Sequence, residues 1–222
     1  MMGAREITRQ SILDTDIYCL TAEKFSRGRS NVEVVRAMLD HGIRLVQYRE
    51  KDKKMGAKYE ECLEIRRMTR EAGAAFVVND DIDLAMLVGA DGVHIGQEDL
   101  PVEAVRRLVG EGMAIGLSTH SPEEALAAVR RGADYIGVGP IFRTFTKEDV
   151  CDPVGYEYLE YVASEIDIPF VAIGGIKRHN VAEVVRRGAR CVALITEIVE
   201  ADDIGTAISE LREAMQSAKE QS

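Results

Sequence analysis

Arg131-Gly132-Ala133-Asp134-Tyr135-Ile136 is one version of a phrase that the 222-residue chain repeats. The others are His41-Gly42-Ile43-Arg44-Leu45-Val46, Ala72-Gly73-Ala74-Ala75-Phe76-Val77, Val88-Gly89-Ala90-Asp91-Gly92-Val93 and Arg187-Gly188-Ala189-Arg190-Cys191-Val192. Each puts a glycine where an amphipathic segment stops and an apolar run begins. Glycine adopts the left-handed backbone that ends helices at the least cost, so each phrase reads as helix end, short loop, buried strand. Working outward, strands are expected at 17–21, 44–49, 75–79, 92–95, 114–118, 135–138, 170–173 and 191–195. Helices are expected between them at about 31–41, 55–72, 82–88, 101–109, 122–131, 155–165, 179–187 and 203–218. Ser121-Pro122-Glu123-Glu124 is a helix start, with an N-cap, a proline at the first helical position and acids in the first turn. Regular alternation without a composition shift or a Pro/Ser-rich linker predicts an α/β chain folded as a single (β/α)8 TIM-type barrel of parallel strands. Residues 1–16 are a loose or helical arm ahead of it. A doubly wound sheet would open with a glycine-rich phosphate loop, and Thr21-Ala22-Glu23-Lys24 is not one.

Composition narrows the partners. A net charge of −10 and 46% hydrophobic residues describe an acidic globular chain. That balance argues against nucleic acid or an anionic membrane as main partner, but a local basic cluster can still bind a small anion. Cys19, Cys62, Cys151 and Cys191 form no C-x-x-C pair, so neither a zinc site nor a disulfide framework is suggested. No apolar stretch reaches membrane-spanning length, and a cytoplasmic protein is expected. The sequence leaves the oligomeric state open, a homodimer included.

In this fold the chemistry lies at the C-terminal ends of the strands. Strand two ends in Gln47, Arg49 and Lys51, which share a face if the chain stays extended. An amide and two cations aimed at one point suit a diphosphate. Strand three ends in Asn79-Asp80-Asp81 and strand four runs on to Gln97-Glu98-Asp99, so Asp80 and Asp99 could share one hard cation such as Mg²⁺. Strand five contributes Ser118 and His120, and strand six is followed by Thr144, Thr146 and Lys147. Gly174-Gly175 and Ile195-Thr196 follow strands seven and eight, where barrels often hold a phosphate on backbone N–H groups. Two anion sites, one with metal, imply two phosphorylated small-molecule substrates and hence a transferase or synthase. His94 reads equally as a bonded core residue or a ligand contact, His41 and His179 as bystanders.

With these residues in hand, the chain from about Tyr18 to Ala207 resembles the thiamine phosphate synthases. The likeness rests on Gln47-Tyr48-Arg49-Glu50-Lys51, Asn79-Asp80-Asp81, His94-Ile95-Gly96-Gln97-Glu98-Asp99, Gly139-Pro140-Ile141 with Thr144-Phe145-Thr146-Lys147, and Ile173-Gly174-Gly175-Ile176. The resemblance implies a TIM-type barrel that uses Mg²⁺ to join hydroxymethylpyrimidine diphosphate to a thiazole ethyl phosphate, with release of pyrophosphate. It assigns Gln47, Tyr48, Arg49, Glu50, Lys51, Asn79, Ser118 and Lys147 to the pyrimidine diphosphate. Asp80 and Asp99 fall to the metal, and Thr144, Phe145, Thr146, Gly175, Ile195 and Thr196 to the thiazole phosphate. Arg49, Lys51, Ser118 and Lys147 would carry catalysis. Thr196 stands where the family usually has serine, which keeps a hydroxyl and a backbone N–H, and Phe142-Arg143 is less familiar ahead of Thr144. Competing readings are a thiazole tautomerase of the same superfamily, with His120 as its acid/base residue, and a non-catalytic barrel that only binds a phosphorylated ligand.

Overall fold

A computed structural model describes residues 4–146 and 151–220. The chain begins with α1 (Ala4–Asp14), followed by β1 (Ile17–Leu20), α2 (Asn31–Asp40), β2 (Leu45–Tyr48), α3 (Met55–Ala72) and β3 (Ala75–Asn79). It continues through α4 (Ile82–Val88), β4 (Gly92–Ile95), α5 (Val102–Val109), β5 (Ala114–Thr119), α6 (Pro122–Arg131) and β6 (Tyr135–Val138). The last units are α7 (Gly155–Glu165), β7 (Phe170–Ile173), α8 (Val181–Arg186), β8 (Val192–Leu194), the single turn α9 (Thr196–Val199) and α10 (Ile204–Glu220). All eight strands pair in parallel, each with its neighbour in sequence, and β1 closes on β8 through Ile17 opposite Val192. This is the expected (β/α)8 barrel.

The repeated glycines do what their position demanded. Gly42, Gly73, Gly89, Gly132 and Gly188 all have positive φ at the ends of helices. At Gly132 the amide donates back to the carbonyls of Ala128 and Val129, closing α6 before Ala133 enters the core. The start of α6 also forms as read, with the Ser121 hydroxyl accepting from the Glu124 N–H.

The period-two alternation of the strands separates two apolar layers. Leu45, Val77, Tyr135 and Val171 point into the barrel, while Val46, Phe76, Val93 and Ile136 face the surrounding helices. Each such side chain leaves water for a gain of roughly 1.5–3 kcal/mol. Of the two forms expected for the N-terminal arm, loose or helical, it takes the helical one. It forms α1 and places Ile12, 2% exposed, against the barrel's inner cluster. Arg5 of α1 bonds Asp134 and Glu111, which fixes the helix beneath the N-terminal end of the strands.

That end is held by buried ion pairs. Asp91, just before β4, receives both terminal guanidinium nitrogens of Arg66 at 2.6 and 2.8 Å and the Phe76 amide at 2.9 Å. Asp134, just before β6, receives Arg106, Arg5 and the Ile115 amide. The Gly-Ala-Asp form of the repeated phrase therefore stitches each strand to the one before it and to a helix.

Candidate active site

Beyond the C-terminal ends of the strands lies a cavity of about 510 Å³. Gln47, Arg49 and Lys51 all line it, although β2 itself stops at Tyr48. The alternation persists past the strand, so Tyr48 and Glu50 turn the other way. Tyr48 is buried outside the barrel and donates to Glu61 of α3 at 2.7 Å. Glu50 accepts from the Glu23 amide at 2.9 Å. Neither side chain reaches the main cavity, because neighbouring residues on an extended chain face opposite sides. Both hold up the segment that carries the three inward groups. Glu50 and Arg49 also border a second depression, of about 590 Å³, beside the first.

Asn79, Asp80, Asp99, Ser118, Thr144, Phe145, Thr146, Gly175, Ile195 and Thr196 line the same main cavity. Lys147 lies outside the described residues, and its neighbour Thr146 is on the wall. The cations Arg49, Lys51, Arg143 and Lys177 are therefore set over one space with the carboxylates Asp80, Asp99 and Glu200. Lys51 pairs with Asp80. Burial pulls the Arg49 guanidinium below its ordinary value, while the nearby Asp80, Glu50 and Asp52 carboxylates push it back up. A half-buried arginine still charged near neutrality is a strong anion partner.

Asp80 has a φ of +61°, a left-handed conformation that is uncommon outside glycine. Its amide donates to His94 O at 2.9 Å, so pairing with the next strand holds the turn in place. Strain of this kind persists where surrounding bonds impose it, and it collects at functional sites. Asp99 has one oxygen bound to the Gly96 amide at 2.6 Å. Among the described residues no three His, Cys, Asp or Glu side chains form a metal cage. Two carboxylates on a wall shared with Arg49 and Lys51 nevertheless fit Mg²⁺, which takes one or two protein carboxylates and fills the rest with water and phosphate oxygens.

Gly174 and Gly175 have φ of +99° and +64°. A Cβ on Gly174 would meet Pro140 Cα at 2.4 Å, and one on Gly175 would meet Arg143 O at 2.7 Å. The pair thus lets residues 140–143 dock against the end of β7, and Phe142 donates its amide to Gly174 O at 3.0 Å. Thr196 starts α9, with Ile195 as its cap, where no helix was expected between the last strand and the segment from 203. A four-residue helix leaves too little periodicity to be read.

The histidines separate clearly. His94 lines the cavity with Nδ1 3.0 Å from Tyr135 Oη and Nε2 3.0 Å from Ser118 Oγ. His120, also on the wall, lies 2.9 Å from Glu124. His41 is occupied by Ala37 O at 2.8 Å on a helix end. Sequence reasoning missed Tyr18 and Lys177, both on the cavity wall. Lys177 stands two residues past Gly175 in the loop after β7, where the rule that singled out Lys51 after β2 would have found it. Tyr18 lies inside an apolar strand and gives no such signal.

Fold and site together define a TIM-type barrel whose cavity, at the C-terminal ends of the strands, is lined by opposed cations and carboxylates. The family model described as thiamine monophosphate synthase matches residues 17–198. The chain belongs to that family. It is 63% identical over 209 residues to the thiamine-phosphate synthase of Pelotomaculum thermopropionicum, covering 94% of this chain and 95% of that one. It is 54% identical to the thiamine-phosphate synthase of Lawsonia intracellularis, covering 92% and 94% respectively. The solved thiamine phosphate pyrophosphorylase from Pyrococcus furiosus superposes with a TM-score of 0.85 at 35% identity, covering 95% of this chain and 98% of that one.

Proposed function

We propose that the protein is a thiamine-phosphate synthase, joining hydroxymethylpyrimidine diphosphate to thiazole ethyl phosphate and releasing pyrophosphate. The observation that carries this reading is the convergence of Arg49, Lys51, Asp80 and Asp99, from three different strand ends, on one cavity. In the reaction the bond between the pyrimidine methylene and the diphosphate oxygen breaks, and its electron pair leaves with pyrophosphate. The thiazole nitrogen lone pair then forms the new C–N bond. No proton is taken or given in these steps, so neither a protein nucleophile nor a general base is needed.

The protein's task is to stabilise charge that grows on the leaving group, in a site arranged before the reaction begins. Arg49 offers a planar fork to the terminal phosphate oxygens and Lys51 a mobile point charge. Lys147 would join them. Asp80 and Asp99 would hold Mg²⁺, which would supply positive charge against the departing diphosphate. Gln47, Asn79 and Ser118 would orient the pyrimidine. Thr144, Thr146, Gly175, Ile195 and Thr196 would take the thiazole phosphate, with Phe145, 80% exposed, at the mouth.

The test is to incubate the purified protein with both substrates and Mg²⁺ and follow thiamine phosphate and pyrophosphate. Both should appear in equal amounts, and omission of either substrate or the metal should stop them. The pairing of His120 with Glu124 supports one other outcome, metal-independent isomerisation of a thiazole phosphate carboxylate, which would make the protein a tautomerase. Tight binding with no product would leave a ligand-binding barrel.

A further inference from the structure

The floor of the cavity carries a chain of hydrogen bonds that the bond-breaking steps do not use. Gln47 Nε2 lies 2.9 Å from Tyr18 Oη, which lies 3.2 Å from Tyr135 Oη. Tyr135 Oη is 3.0 Å from His94 Nδ1, and His94 Nε2 is 3.0 Å from Ser118 Oγ. The chain crosses the barrel interior through β2, β1, β6, β4 and β5.

Counting hydrogens gives it a direction. An amide nitrogen only donates, so Tyr18 accepts from Gln47. Burial raises the Tyr18 and Tyr135 phenols above their ordinary range, so each keeps its one hydrogen near neutral pH. Tyr18 then gives its hydrogen to Tyr135, and Tyr135 gives its own to His94 Nδ1. With Nδ1 taken up as the acceptor of that bond, the imidazole carries a hydrogen on Nε2 and donates it to Ser118 Oγ. In the reverse direction Tyr18 would receive from both neighbours, and its own hydrogen, on a residue 2% exposed, would be left over. Burial without a partner is costly.

The backbone makes room for this arrangement. A Cβ on Gly116 would come within 2.2 Å of the Tyr135 ring and 2.4 Å of His94 Nδ1. Only glycine at that point of β5 lets the tyrosine and histidine rings meet.

We propose a relay in which Tyr135, with Tyr18 only filling the other side of its hydroxyl, donates to His94 Nδ1 and so fixes the His94 tautomer, and His94 in turn frees the Ser118 hydroxyl hydrogen to point into the cavity, making Ser118 a donor to an acceptor nitrogen of a heteroaromatic ring. Tyr135 and His94 act here as positioning residues. The identity of that ring, though not the relay, rests on the thiamine-phosphate synthase reading.

Long-range proton–nitrogen correlation spectra of the ¹⁵N-labelled full-length protein test this directly. In the wild type His94 should carry its hydrogen on Nε2 with Nδ1 bare. Tyr135→Phe removes the donor to Nδ1 and should shift His94 to a mixture of tautomers. Tyr18→Phe leaves the Tyr135-to-His94 bond in place and should preserve the wild-type signal. In the condensation assay Tyr135→Phe should raise KM for the pyrimidine diphosphate about tenfold, the scale of one lost hydrogen bond, and leave that for the thiazole phosphate within about twofold. A hydrogen on Nδ1 in the wild type, an unchanged tautomer in Tyr135→Phe, or an equal change in both KM values would overturn the relay. Should Tyr135→Phe fail to fold in a thermal melt, the wild-type and Tyr18→Phe spectra still decide. A wild type that forms no thiamine phosphate would sink the functional reading, while the imidazole signals would still judge the relay.

Discussion

Asp91 and Asp134 at one end of the barrel and Asp80 and Asp99 at the other are the same side chain in opposite circumstances. The first two are 4% and 1% exposed and bonded to arginines and strand amides. The second two stand on the cavity wall, Asp80 half-buried and in a strained backbone, Asp99 exposed. A carboxylate whose bonding is completed inside the protein stabilises the fold. One that keeps capacity facing a cavity can take a ligand. The difference teaches that acid count says nothing of role, whereas position relative to strand direction says a great deal.

The contrast can be broken by exchanging the same damage between the two ends. Asp91→Ala should cost about 3–5 kcal/mol of stability, because it strands a buried arginine and an amide. Urea unfolding would measure that loss, with turnover per folded molecule near normal. Asp80→Asn keeps a residue that tolerates left-handed backbone and should lower kcat by about 10²–10³, the scale of losing one aligned electrostatic group. Its melting temperature should stay close to wild type, and a matching fall in stability would erase the distinction between the two ends.

Glycines sharpen the comparison further. Gly175→Ala forces a Cβ against Arg143 O and Phe142, so it should disturb both stability and the KM for the thiazole phosphate, seen by melting and steady-state kinetics. Gly132→Ala meets nothing within 4 Å and should cost only the left-handed conformation, about 1–2 kcal/mol, with no kinetic effect. Thr196→Ser, the smallest change, retains the hydroxyl and should alter the same KM by less than about twofold, smaller than the effect of one lost hydrogen bond.

Much of this was legible because it depends on local pattern. The five glycine phrases specify helix ends and buried strands through backbone sterics alone, and eight such units leave the barrel as their common solution. Gln47, Arg49 and Lys51 could be placed on one wall because side-chain direction along an extended chain has a period of two. The same rule, applied to Tyr48 and Glu50, turns them away, as the structure shows. Tyr18 and Tyr135 were not legible, since an aromatic residue in a buried strand looks the same whether it fills a core or carries a hydrogen bond.

The sequence by itself determined the order of strands, the closing glycines and the rim on which polarity collects, all consequences of short-range geometry and burial. Only the tertiary structure decided that α1 closes the barrel floor, that Asp91 and Asp134 are spent on arginines, and that five side chains from five strands join in one line of hydrogen bonds. Those are contacts between residues far apart in the chain, and their partners are chosen by the closure of the barrel rather than by any neighbour in sequence.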